Sequence, residues 1–161
     1  MIYLDTSAMV KLVVREPESD QLIEWLNDVT DEDFMETLSR GTRPTRIDCC
    51  TAQIGRVELM RAALRLGDNA QPVARAIGEG KPPAGDAVIA ARRLLDKIDT
   101  LLITPEIVEL AETVPPAEIR TLDALHLATM LTNKSSVTTV CVYDGRLIAA
   151  CEHHGLNVVH P

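Results

Sequence analysis

Four acids, Asp5, Glu58, Asp123 and Asp144, stand at positions from which carboxylates can do chemistry. Asp5 follows Met1-Ile2-Tyr3-Leu4, a mostly apolar run that reads as a buried strand, and precedes Thr6, Ser7 and a helical pattern through Met9, Val10, Leu12 and Val13. An acid at the carboxyl end of a buried strand sits where open α/β sheets place their ligands. Asp144 repeats the arrangement after the β-branched run VTTVCV at residues 137–142 and before a helix to about residue 151. Two parallel strands that end in this way put both acids on one edge of a sheet. Asp123 lies in the first turn of TLDALHLATML, residues 121–131, a helix apolar on nearly every face, with His126 one turn later. Glu58 lies inside a helix expected over 51–66, where Ile54, Val57 and Leu59 mark the neighbouring buried side.

Carboxylates brought close together repel and raise one another's pKa values unless a cation sits between them. With oxygen donors and no usable His/Cys set, that cation is a hard one, Mg²⁺ or Mn²⁺. Such an ion activates water and stabilises charge on a phosphoryl oxygen, the chemistry of phosphodiester hydrolysis. Each acid also has a purely structural reading. Asp5, Thr6 or Ser7 can cap the helix that follows, and Asp144 can cap the last one. Asp123 can complement a helix dipole behind a Thr121 cap. Glu58 can pair with Arg61 or Arg65 on a solvated face. For His126 the favoured reading is a satisfied core histidine bonded to a carboxylate or carbonyl, not a metal ligand.

The elements that must position these acids alternate between strand and helix. Strands are expected over 1–4, 46–50, 101–103, 137–142 and 156–159, with helices after residue 5 and over 18–28, 51–66, 86–98 and 121–131, and another begun by Pro105 and ended by Pro115-Pro116. Residues 29–44 read as a long connection, and 67–85 as a loop or loose helical insertion. The alternation implies a parallel sheet covered on both faces. With no internal repeat and a length of 161 residues, one domain over 1–161 is expected.

Composition narrows the function classes. Aromatic residues make up only 2% of a chain that is 46% hydrophobic, so the core is aliphatic and the composition argues against recognition by base stacking on aromatic platforms. No run approaches a membrane span, and Asp5 and Lys11 interrupt the first apolar residues too early for a leader, so a cytoplasmic protein is expected. Cys49, Cys50, Cys141 and Cys151 form no CxxC pair and are expected to be reduced and buried. Cys151-Glu152-His153-His154 matches no zinc spacing. The net charge is −8, but residues 16–36 hold nine of the 24 acids and no base. The remaining 15 acids face 16 bases, 12 of them Arg, so a polyanionic substrate is compatible with the rest of the chain.

The flanking residues of the four acids, MIYLDTSA, RVELMRA, RTLDALHLATM and VYDGRL in that order, resemble the acidic motifs of PIN-domain ribonucleases, and within them those of the VapC toxins of bacterial toxin–antitoxin pairs. The resemblance runs from residue 3 to residue 147. It implies a three-layer α/β/α sandwich with a central, mostly parallel sheet, and an acidic pocket for Mg²⁺ or Mn²⁺. It also implies endoribonuclease activity on structured RNA (tRNA or rRNA), inhibition by a small VapB-like antitoxin that inserts Arg or Lys into the pocket, and a homodimer. Carried over by position, Asp5, Glu58, Asp123 and Asp144 are the metal-site acids, Asp5 and Asp123 the firmest ligands and Asp144 the most variable. Ser7, ahead of Thr6, hydrogen-bonds near the metal or the scissile phosphate. Arg56, Arg61, Arg120 and Arg146 are candidate phosphate contacts, against ordinary solvation or ion pairing. Two other readings stand beside this one. A Mg²⁺-dependent phosphatase of another α/β family would want DxD where position 7 is Ser, and a non-catalytic module would use the acidic pocket only to capture a basic partner.

Overall fold

The computed structural model describes residues 1–30, 47–66 and 86–161. The elements in chain order are β1 (Ile2–Leu4), α1 (Thr6–Val13), α2 (Ser19–Thr30), β2 (Cys49–Ala52), α3 (Gln53–Leu66), α4 (Asp86–Lys97), β3 (Asp99–Leu101), α5 (Pro105–Thr113), α6 (Thr121–Thr132), β4 (Thr139–Cys141), α7 (Gly145–His153) and β5 (Val158–Val159). The connections expected at 29–44 and 67–85 lie almost entirely outside the described residues, as does the expected start of the second strand at Arg46.

Side chains alternate across β1, and that alternation divides the core in two. Ile2 and Leu4 point into one apolar cluster, with Met9 and Leu12 of α1, Leu22 and Leu26 of α2, Leu59 of α3 and Leu94 of α4. Tyr3 points into the other, with Ala124, Leu127 and Met130 of α6 and Leu147 and Ala150 of α7. Helices thus cover both faces of the sheet, the three-layer α/β/α arrangement expected. The sheet is wholly parallel, in the order β3-β2-β1-β4-β5. All four cysteines are buried and free, as expected.

Strand order reverses at β1, with β2 on one side and β4 on the other. Register pairs Ile2 with Cys49 and Thr139, and Leu4 with Cys141. The Asp5 N–H then donates to the Cys141 carbonyl at 3.0 Å, so the ladder between β1 and β4 runs up to the first acid. The crevice of this fold therefore opens between the carboxyl ends of β1 and β4, at the switch point where such sheets bind ligands.

β4 and β5 are shorter than the runs expected, at Thr139–Cys141 and Val158–Val159, and β2 and β3 shift along the chain. β2 runs on through Thr51 and Ala52, which pair with Thr100 and Leu101 of β3, and α3 begins only at Gln53. β3 lies earlier than expected because Asp99 and Thr100, polar residues on an edge strand, take part in the pairing. Val57, placed on the buried side by the sequence pattern, is instead 55% exposed, while Leu59, placed there with it, and Ala63 face the core.

Gly55 sets how closely α3 can approach. A Cβ at that position would lie 2.5 Å from Thr51 Oγ1 and 3.2 Å from both His126 Cε1 and Met9 Cε. One helical turn later on the same face stands Glu58, so the bare backbone at 55 brings that carboxylate against α6 and the start of α1. Gly55→Ala is expected to lose more to overpacking (about 1–3 kcal/mol) than it gains in helix propensity (about 1 kcal/mol). Thermal unfolding should show a Tm lower by roughly 2–4 °C for each net kcal/mol lost, and an unchanged or higher Tm would contradict this packing.

Candidate active site

Asp5 and Asp144 are both helix N-caps at the carboxyl edge of the sheet. Asp5 is the N-cap of α1, in extended backbone, and its Oδ2 accepts from the Ser7 N–H at 3.0 Å and from Ser7 Oγ at 2.6 Å. Ser7 Oγ in turn accepts from the Tyr143 N–H at 2.9 Å, which ties the turn after β1 to the turn after β4. Asp144 is the N-cap of α7, its Oδ1 accepting from the Arg146 and Leu147 N–H groups at 2.9 and 3.2 Å. Each cap satisfies N–H groups that the helix cannot, and the positive end of the helix favours the charge. Both structural readings of these acids hold, and each uses one carboxylate oxygen.

Asp123 lies in the first turn of α6, where the helix dipole favours its charge as expected, but it does not cap the helix. Arg120, not Thr121, occupies the N-cap position, and no side chain caps the helix. Asp123 Oδ2 is buried without a hydrogen-bond partner among the described residues. Burial, then the negative charges of Asp144 and Asp5, push its pKa above the ordinary aspartate value, against smaller opposing effects of His126 and Arg120. Three acids from three elements thus share one electrostatic environment.

Glu58 reaches the same region from α3. Its Oε2 accepts from Thr6 Oγ1 at 2.6 Å and lies 2.8 Å from His126 Nε2. Burial works against its charge, but the bonds from His126 and Thr6 outweigh that and hold its pKa below the usual glutamate value. The expected partners Arg61 and Arg65 are replaced by these two. His126, 1% exposed, is the carboxylate-bonded core histidine expected, with Asp5 Oδ1 3.8 Å from its Nδ1. Burial disfavours its cation; the Glu58 bond and the charges of Asp5, Glu58 and Asp123 prevail and lift its pKa above 6.5.

The candidate phosphate-binding arginines divide. Arg56 donates to the Leu95 carbonyl at 3.1 Å and to Thr100 Oγ1 at 3.0 Å, and with Arg61 it lines a groove between α3 and α4, away from Glu58. Arg120 and Arg146 are exposed and flank Asp123 and Asp144 in sequence. Tyr3 is the contributor that sequence reasoning missed: within an apolar strand it reads as core, but its hydroxyl lies 2.5 Å from His126 Nδ1.

The donor set suits a hard divalent cation in chemistry and charge. Asp123 brings a buried oxygen with no partner, and Asp5, Glu58 and Asp144 each keep one oxygen free of hydrogen bonds among the described residues. As placed, no three carboxylate, imidazole or thiol groups among the described residues converge closely enough to enclose an ion.

A parallel α/β sheet whose switch point gathers acids in this way defines a class of acidic-pocket proteins, and comparison with known proteins narrows it. The model of the PIN domain matches residues 2–152. Ribonuclease VapC47 of Mycobacterium tuberculosis (strain CDC 1551 / Oshkosh) is 37% identical over 161 residues, covering 100% of this chain and 97% of the relative. Ribonuclease VapC46 of Mycobacterium tuberculosis (strain ATCC 25618 / H37Rv) is 35% identical over 160 residues, covering 99% and 97%. The chain belongs to the PIN-domain family, among the VapC ribonucleases. The crystal structure of Mycobacterium tuberculosis VapC20, described as a sarcin–ricin loop-cleaving toxin, superposes over 100% of both chains with a TM-score of 0.59 at 19% identity, a likeness of fold.

The raised pKa of Asp123 has a measurable consequence. The folded state holds that proton more tightly than the unfolded chain, so ionising Asp123 costs stability as pH rises through the folded pKa, and the cost is absent below the ordinary aspartate value. Without divalent ions, Asp123→Asn is expected to melt above the wild type at pH 7, with the gain shrinking as pH falls toward 4. Added Mn²⁺ should reverse the order by stabilising the wild type. A variant that melts lower than the metal-free wild type at pH 7 would contradict the repulsion.

Proposed function

We propose that this chain is a metal-dependent endoribonuclease, the toxin of a toxin–antitoxin pair, which hydrolyses phosphodiester bonds in structured RNA such as tRNA or rRNA. The observation that carries this reading is the unpartnered buried oxygen of Asp123 in the field of Asp5 and Asp144. A carboxylate so placed is costly unless a cation or a proton compensates it. Asp5 and Asp123 would hold Mg²⁺ or Mn²⁺ most directly, with Glu58 and Asp144 completing the acidic set. The bound ion supplies an activated water and stabilises charge on the phosphoryl oxygen. Ser7 keeps the Asp5 carboxylate turned, through its 2.6 Å bond to Oδ2, and the exposed Arg120 and Arg146 would contact the RNA backbone.

The names of the full-length relatives support ribonuclease chemistry, and their VapC assignment supports a VapB-like antitoxin as partner. An antitoxin Arg or Lys would complement the same unpaired charge. A homodimer acting in the cytoplasm, with residues 1–161 as a single domain, completes the proposal. Among the described residues no helix is long and apolar enough to cross a membrane. The phosphatase reading finds no second acid at position 7, where the Ser7 hydroxyl bridges Asp5 and the Tyr143 N–H.

Purified chain with Mg²⁺ or Mn²⁺ is expected to cleave total cellular RNA at discrete sites, read by mapping the new 5′ ends. Asp5→Asn and Asp123→Asn should each lower the rate by more than about 100-fold, beyond the loss typical for outer partners of a metal site, with the fold retained by circular dichroism. Wild type that cuts no RNA, or either variant cutting normally, would overturn the assignment.

A further inference from the structure

The carboxylate of Glu58 is held by a chain of hydrogen bonds that starts inside the sheet. The N–H of Ala52, the last residue of β2, donates to the Tyr3 hydroxyl at 3.2 Å. That hydroxyl lies 2.5 Å from His126 Nδ1, and His126 Nε2 lies 2.8 Å from Glu58 Oε2. With the Ala52 N–H on one lone pair, the hydroxyl can direct its own proton to Nδ1. A neutral ring engaged in this way carries its proton on Nε2, and the cation carries one there too, so in either state Nε2 donates to Glu58 Oε2.

Tyr3 is wholly buried and His126 nearly so, which shields both rings from bulk solvent. The ring is also confined sterically, since Gly55 packs against its Cε1. At the far end, Thr6 Oγ1 donates to the same Oε2 at 2.6 Å, so two donors converge on one oxygen and Oε1 carries no hydrogen bond among the described residues. Asp5 Oδ1 stands 3.8 Å from His126 Nδ1, which sets the imidazole between the two acids.

We propose that His126, backed by Tyr3, is a positioning residue that fixes the Glu58 carboxylate with Oε2 engaged and Oε1 kept for the metal. The inference rests on the reading of Glu58 as a metal-site acid and adds what orients it. His126 itself binds no ion, as both its ring nitrogens are in use. Partners behind metal-binding groups typically govern 10- to 100-fold of metal affinity (about that range). A histidine that merely filled the core would alter stability and leave ion affinity alone.

The test is calorimetric titration of the full chain with Mn²⁺, in wild type and variants, with thermal melts in parallel. His126→Ala is expected to bind Mn²⁺ about 10- to 100-fold more weakly. His126→Gln, whose amide can donate toward Glu58, should recover most of that loss. Glu58→Gln should weaken binding, and adding His126→Ala to it should weaken binding no further. Should His126→Ala not fold, Tyr3→Phe, which deletes a single oxygen, takes its place: Mn²⁺ binding should weaken, and imidazole ¹⁵N spectra should show His126 leaving the Nε2–H tautomer. A folded His126→Ala, or in its place Tyr3→Phe, that binds Mn²⁺ as wild type does would overturn the proposal, as would additive losses in the double variant. If Glu58→Gln alone leaves Mn²⁺ binding unchanged while wild type binds, the proposal falls and Glu58 leaves the metal set. Wild type that binds no Mn²⁺ would remove the metal reading itself.

Discussion

Negative charges gathered at the carboxyl edge of β1 and β4 repel one another, and much of the surrounding structure holds them in place against that repulsion. Asp5 and Asp144 are kept by the N-termini of α1 and α7, whose free N–H groups and dipoles favour a carboxylate at that end. Ser7 Oγ joins the two turns by donating to Asp5 and accepting from the Tyr143 N–H. Glu58 is kept by two side-chain donors from other elements, Thr6 and His126. Asp123 Oδ2 receives no hydrogen bond among the described residues, and burial, then the charges of Asp144 and Asp5, raise its pKa. A divalent cation would relieve that repulsion.

The sheet makes this arrangement rigid. β1 is its central strand, and Tyr3 and Leu4 are fully buried on opposite faces. Asp5 is the next residue, so its backbone position follows from two packed cores at once. The parallel register with β4 then places Tyr143 and Asp144 beside the first turn of α1. Gly55 lets α3 close on the site from one face, and α6 brings Asp123 and His126 from the other. In the catalytic role proposed for them, acids in such a frame would need little reordering before an ion or a substrate phosphate arrives.

Legibility in the sequence followed the range of each interaction. Asp5 and Asp144 were visible because strand, acid and helix follow one another directly along the chain. The buried helix at 121–132 and the aliphatic core were visible for similar local reasons. What could not be read were contacts between distant segments. Glu58 meets Thr6 across 52 residues and His126 across 68, and no local pattern announces either bond, so the nearby arginines appeared to be its natural partners. Tyr3 reads as one more apolar strand residue, although its hydroxyl anchors the chain that ends at Glu58. β3 was displaced in the sequence reading because Asp99 and Thr100 are polar, and on an edge strand pairing does not require an apolar residue. Full-length likeness to VapC ribonucleases places the acids in a family whose motifs the flanking residues already resembled.

The central claim is that these acids share one divalent ion. Crystals of the wild-type chain grown with Mn²⁺ test it most directly, through an anomalous difference map collected at the manganese edge. A single site is expected in the pocket, with Asp5 and Asp123 as direct ligands, Glu58 approaching through Oε1 and His126 still bonded to Oε2. Anomalous density elsewhere on the chain, with the pocket occupied only by solvent, would contradict the account.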